Sequence, residues 1–187
     1  MKNIAIMASG SGTNAENIIR FFRTNAEIKV RLVLTNKSDA YVLNRARSFK
    51  IETMVFNRAQ FYESDEIVNM LLEKKIDLLV LAGFLWLLPE SLVKAFEGSI
   101  VNIHPALLPK YGGKGMYGMR VHQSVLENNE TESGITIHLV NEKYDDGDII
   151  FQERCRIEPG ETPESLAEKV HKLEYTHFPP VIEKLLK

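Results

Sequence analysis

Apolar residues along this chain alternate between two rhythms. Short apolar segments at Asn3–Ala8, Lys29–Thr35, Glu52–Phe56, Asp77–Ala82 and Ser99–Ile103 have the length and β-branched content of strands. Asp77–Ala82 is the most apolar of them, which predicts a central parallel strand buried on both faces. Between these segments the spacing switches to that of helices. Ala15–Arg23 places Ile18, Ile19 and Phe22 on one side, and Ser64–Lys74 does the same with Ile67, Val68, Leu71 and Leu72. Tyr41–Phe49, with Asp39 as its expected N-cap, and Pro89–Phe96 complete the set.

After Ile103 the pattern changes. Pro105–Arg120 is rich in glycine and proline and predicts a long ordered loop, a feature that compact domains usually reserve for function. Gly134–Val140 then alternates Ile135, Ile137 and Leu139 with Thr136, His138 and Val140. A turn at Asp145–Gly147 leads into a strand over Asp148–Ile157, so the pair reads as a hairpin. The end is a long helix opened by Thr162 and Pro163, with Pro179 and Pro180 expected to break or kink it. Repeated strand–helix units imply a doubly wound parallel sheet, and the late hairpin implies an antiparallel edge. Ligands in such sheets sit beyond the carboxyl ends of the strands, which marks out Ser9–Asn14, Gly83–Leu88 and the segment from Asn102 onward.

Composition narrows this picture. A chain of 187 residues suits one domain, here residues 1–187, with one continuous core. A formal net charge of −2 argues against nucleic acid as a partner, which calls for clustered Lys and Arg. The single cysteine, Cys155, excludes an internal disulfide and fits a reducing, cytoplasmic setting. No apolar stretch approaches the roughly 18 residues of a membrane span, and the opening apolar run reads as a first strand rather than a signal peptide.

Three places carry candidate chemistry. Ala8–Asn14 joins the first strand to the first helix with two glycines, and reads either as a phosphate site at a helix N-terminus or as a tight turn. It lacks the third glycine of a dinucleotide fingerprint, and no nucleotide P-loop occurs in the chain. Asn102 and His104 are two apart at a strand end, so they point the same way. They could stabilise a tetrahedral oxyanion and move a proton, or simply satisfy nearby backbone. Asp145-Asp146-Gly147-Asp148 reads as a solvated hairpin turn, or as a source of one inward carboxylate that orients a histidine. The five histidines, His104, His122, His138, His171 and His177, lack metal-ligand spacing, so no metal is expected. His138 falls on the more polar face of its strand and reads as a surface or hydrogen-bonded residue, and Trp86 as core or as the wall of a pocket for a flat ring.

Together, the SGSGTN-type loop, LAGFLWLLP, NIHPALLPKY and GITIHLVNEKYDDGDII resemble the folate-dependent glycinamide ribonucleotide transformylase family over essentially the whole chain. The resemblance implies a Rossmann-like formyltransferase fold: α/β, a mainly parallel sheet with helices on both faces and an antiparallel edge hairpin. It implies formyl transfer from 10-formyltetrahydrofolate to glycinamide ribonucleotide, two small-molecule substrates, with no membrane or nucleic-acid partner and no metal. By position, Gly12, Thr13 and Asn14 match the loop that holds the substrate phosphate, and Asn102, His104 and Asp145 match the catalytic trio. Leu85, Trp86, Leu87 and Leu88 match the pterin pocket, joined by Asn141, Glu142, Lys143, Tyr144 and Asp145 from the hairpin side, with Asn102 shared. Glu174 matches the residue at the glycinamide end, and Arg58 a basic residue near the folate, across a region of variable length. In the expected mechanism Asp145 raises the pKa of His104, and protonated His104 with Asn102 stabilises the oxyanion.

The chain departs from the family pattern in three places. Gly112–Arg120 replaces a shorter P-G-L-H stretch and is given no role. Asp146 stands where glycine is usual, so the inward carboxylate could be Asp145 or Asp146. The last helix is followed by little further chain. Two related activities are weighed against this one: methionyl-tRNA formyltransferase, with a further C-terminal tRNA domain, and formyltetrahydrofolate hydrolase, with an additional N-terminal domain. A non-catalytic binding protein on the same fold is the alternative from another class.

Overall fold

The computed structural model describes all residues, Met1–Lys187. Seven strands form one sheet in the order β3-β2-β1-β4-β5-β6-β7. The strands are β1 (Lys2–Met7), β2 (Ile28–Thr35), β3 (Glu52–Val55), β4 (Leu78–Leu81), β5 (Ile100–His104), β6 (Glu132–Leu139) and β7 (Ile149–Arg156). The first five run parallel, β6 is antiparallel to β5, and β7 is antiparallel to β6. This is the expected parallel sheet with an antiparallel edge.

Strand alternation divides the apolar residues between the two faces. Ile4, Ile6, Val80 and Val101 join one core, with Ile18 and Phe22 of α1 (Thr13–Phe22) and Phe178 of α7 (Pro163–Leu186). Ala5, Met7, Leu79 and Ile100 join the other, with Leu71 of α4 (Glu66–Glu73) and Leu92 of α5 (Glu90–Ala95). Helices therefore cover both faces.

Strand order reverses between β1 and β4, and the chain is knotted together there by one side chain. Ser9 Oγ donates to Asn36 Oδ1 (2.7 Å) beyond β2 and accepts the Leu85 N–H (3.1 Å) beyond β4, while the Ser9 N–H donates to Gly83 O (3.0 Å). Three carboxyl-end loops are thus fixed relative to one another.

Three local expectations need correction, and one helix has no counterpart among them. The helix expected over Tyr41–Phe49 is α2 (Val42–Ser48); its N-cap is Tyr41, with no side-chain cap, so Asp39 does not serve. A one-turn helix α3 (Arg58–Tyr62) precedes α4, closed by a reciprocal capping box between Asn57 and Gln60. The loop expected to run to Arg120 ends earlier, at α6 (Met119–Glu127). Finally, Pro179 and Pro180 do not break α7, which runs through them as one helix. Pro179 has no N–H for the carbonyl four residues back, Tyr175 O, and Asn17 Nδ2 of α1 donates to that oxygen instead, at 2.9 Å.

Candidate active site

A cleft of about 750 Å³ opens at the carboxyl ends of β1, β4 and β5. Its first wall is the β1–α1 loop. Gly12 caps α1 with φ +74°, and a Cβ there would meet Val42 Cγ2 at 2.3 Å, so both backbone shape and packing require glycine. Gly12, Thr13 and Asn14 all line the cleft, with the α1 N-terminus behind them. Asn14 Nδ2 donates to Glu174 Oε2 of α7 at 2.8 Å, while its own Oδ1 is buried and unpaired within the protein. Glu174 is 5% exposed. Burial raises its carboxyl pKa, against the opposing pull of the Asn14 amide and of His171.

At the end of β5 the trio converges. His104 Nε2 lies 2.7 Å from Tyr111 O, a carbonyl that can only accept, so this nitrogen carries a proton. Its Nδ1 faces Asp145 Oδ2 at 3.5 Å. Asn102 Nδ2 is 3.4 Å from Asp145 Oδ1. Asp145 is held in a left-handed backbone conformation, φ +52°, with the Gly113 N–H donating to Oδ2 at 2.9 Å. Asp145 is the inward carboxylate; Asp146 is exposed and pairs with Lys143 at 3.5 Å.

A second histidine joins the cluster. His138 lies directly opposite Asn102 in the β5–β6 register, is 2% exposed, and is not a surface residue. Its Nδ1 donates to Leu139 O (2.8 Å), which leaves Nε2 to accept from Asn102 Nδ2 at 3.1 Å; Nε2 is also 3.6 Å from Asp145 Oδ1. Burial outweighs the pull of Asp145 and Tyr111 O on His104 and holds its pKa below the ordinary 6.5. Asp145 pulls the pKa up as expected, but burial leaves the net direction down, so His104 rests neutral at pH 7, beside a carboxylate and a carbonyl that both favour the proton when it arrives. For Asp145, burial raises the pKa, but His138 and His104, once protonated at acid pH, and the Gly113 N–H together hold it below the ordinary 3.8.

The third wall is aromatic. Leu85, Trp86, Leu87 and Leu88 line the cleft, as do Lys143, Tyr144 and Asp145. Trp86 packs against Phe56, Phe61 and Tyr62 with ring centroids 5.7–6.1 Å apart. The Arg58 guanidinium sits 5.0 Å over Tyr62 and 5.9 Å over Trp86, behind the cleft wall rather than in it. Asn141 and Glu142 also lie off the lining; Asn141 Oδ1 accepts the Lys143 N–H (2.9 Å) and shapes the hairpin loop. Sequence reasoning gave no part to His122, His171 or the Gly112–Arg120 loop, yet His122, His171 and Gly113–Met119 line the cleft.

A family model described as formyl transferase matches residues 2–182. The chain belongs to the formyl transferase family. Within it, a protein named phosphoribosylglycinamide formyltransferase from Haemophilus influenzae is 38% identical, over 98% of this chain and 86% of that one. The protein of the same name from Bacillus subtilis is 35% identical over 100% and 95%. A chloroplastic one from Arabidopsis thaliana is 43% identical, and there the match spans only 62% of the relative's length. Among solved structures, phosphoribosylglycinamide formyltransferase from Bacillus halodurans superposes with a TM-score of 0.89 at 38% identity, covering 100% of this chain and 96% of that one. This formyl transferase thus has the architecture of those enzymes, and its cleft is built where strand order reverses.

Proposed function

We propose that this formyl transferase moves the formyl group of 10-formyltetrahydrofolate to the amine of glycinamide ribonucleotide, a step of purine biosynthesis. The convergence of Asn102, His104 and His138 on Asp145 carries this reading, with family membership behind it. The ribonucleotide phosphate lies against Gly12, Thr13 and Asn14, and Glu174 meets the glycinamide ribonucleotide along the same wall. The pterin lies against Leu85–Leu88 and the Asn141–Asp145 loop, with Arg58 behind the aromatic wall.

The free amine attacks the formyl carbon, and the C=O electron pair moves onto oxygen. Asn102 donates an amide hydrogen to that oxygen. His104, neutral at rest, takes up the proton that the attacking nitrogen sheds, and Asp145 stabilises the imidazolium that forms. Collapse of the tetrahedral adduct breaks the bond to N10 of the folate, and the same proton passes to that nitrogen. The net charge of −2 supports small-molecule substrates rather than nucleic acid, and the composition supports a cytoplasmic setting.

The test is a spectrophotometric assay with a 10-formyl folate, with and without glycinamide ribonucleotide. Folate product formed only when the ribonucleotide is present is expected. Equal turnover without it would mean hydrolysis, and binding of both without turnover would mean a non-catalytic protein.

A further inference from the structure

The β1–α1 loop is braced from its outer side by α2. The Val42 N–H donates to Gly10 O at 3.2 Å, and Arg45 Nε–H donates to Ser11 O at 2.8 Å. In a trans peptide the C=O and the following N–H point in opposite directions. Pinning the Gly10 and Ser11 carbonyls toward α2 therefore turns the N–H groups of Ser11 and Gly12 away from it, and both residues line the cleft.

Arg45 has a second contact, an ion pair with Glu16 in the first turn of α1. A carboxylate there is electrostatically wrong for an anion site, because it opposes the helix N-terminus that would hold the anion. Glu16 is nonetheless ionised: hydrogen bonds from Arg20 first, and then from Arg45, hold its pKa low. The Arg45 side chain is 27% exposed and lies 5.0 Å over the Tyr41 ring, so it is fixed by packing as well as by charge.

We propose that Arg45 is a positioning residue for the substrate phosphate: it turns the loop amides toward the cleft and, together with Arg20, offsets the charge of Glu16 beside them. This rests on the reading of Gly12–Asn14 as the phosphate site. No atom of Arg45 need touch the substrate, since it acts through Ser11 and Glu16.

The experiment is steady-state kinetics on Arg45→Met, Arg45→Lys and Glu16→Gln, with inorganic phosphate as a competitor of the ribonucleotide. Losing a hydrogen bond to a charged group is worth at least about tenfold in affinity. Arg45→Met is expected to raise the KM for glycinamide ribonucleotide by about tenfold and to weaken phosphate inhibition by the same factor. The kcat and the KM for the folate should hold within about twofold, and Arg45→Lys should fall between wild type and Arg45→Met. Glu16→Gln keeps the Ser11 contact and removes the opposing charge, so its ribonucleotide KM should be unchanged or lower. A merely structural ion pair predicts the opposite, equal damage from either partner, and that result would overturn the proposal. So would an Arg45→Met enzyme, or Arg45→Lys should Arg45→Met not fold, with wild-type KM and wild-type phosphate inhibition. Should phosphate not compete with the ribonucleotide even in the wild-type enzyme, the phosphate reading itself fails, a result distinct from failure of Arg45 alone.

Discussion

The residues of the proposed reaction meet at Asp145: His104, Asn102 and His138 all lie within 3.6 Å of its two oxygens. In the proposed mechanism a neutral His104 becomes cationic and gains its charge stabilisation from this carboxylate, so the two would act on one step. Removing one preorganised donor or its support costs about 10²–10³ in kcat. His104→Ala and Asp145→Asn are each expected to lose that much with both substrates still bound, and the double variant far less than the product of the two. A double-mutant cycle on kcat measures it; multiplicative losses would show that Asp145 does not work through His104. His138→Ala should lower kcat by about tenfold, since Asn102 then loses the acceptor that aims its amide. An unchanged kcat in that variant would leave His138 a packing residue.

At the scale of elements, the β1–α1 turn is where geometry and sequence agree most closely. Gly12→Val would introduce a β-branched residue at φ +74° and drive its Cβ into Val42. A raised ribonucleotide KM with little change for the folate is the expected result, read from initial rates against each substrate. The five parallel strands were legible because each is a short apolar segment between amphipathic helices. Two helices were not. In α6 the buried positions are Val121, His122 and Val125, too few apolar residues to show a period behind a glycine-rich loop. In α3 a single turn carries no period at all, although Asn57 and Gln60 spell out its capping box. His138 reads as a surface or a hydrogen-bonded residue, and the structure makes it the second. A polar residue alternating with apolar ones reads as solvent-facing, but β6 lies inside the sheet between β5 and β7, and its polar position faces the cleft. The prolines of α7 mislead in the other direction, since the partner that spares the helix comes from α1. Asn17→Ala should leave the Tyr175 carbonyl unpaired and cost about 1 kcal/mol of stability in urea unfolding. No loss would mean that the helix tolerates Pro179 without that donor.

For the whole molecule, a sheet covered on both faces places its titratable cleft groups in a setting that penalises charge, and this predicts how the fold responds to acid. His122 on α6 is 2% exposed, and burial lowers its pKa from 6.5 to about 4, with the nearby charges of His171 and His104 adding to the effect. His104 is lowered in the same direction. An unfolded chain binds protons on both groups below about pH 6.5, whereas the folded protein resists until lower pH, so stability is complete above that value and falls as the pH drops. For His122 the loss between pH 6.5 and 4 is of order 3 kcal/mol. Asp145, whose pKa is lowered from 3.8, loses its contribution only below that range. Glu174, raised from 4.5, has the opposite sign: its contribution is present at acid pH and disappears as the pH rises through its folded pKa. Glu174 therefore offsets part of the histidine slope above pH 4.5, and it does so equally in the wild-type chain and in a His122 variant. Urea midpoints measured at pH 7.5, 6.5, 5.5 and 4.5 should fall steeply for the wild-type chain and distinctly less for His122→Gln, which cannot take up the proton. Parallel curves for the two proteins would place the acid sensitivity elsewhere.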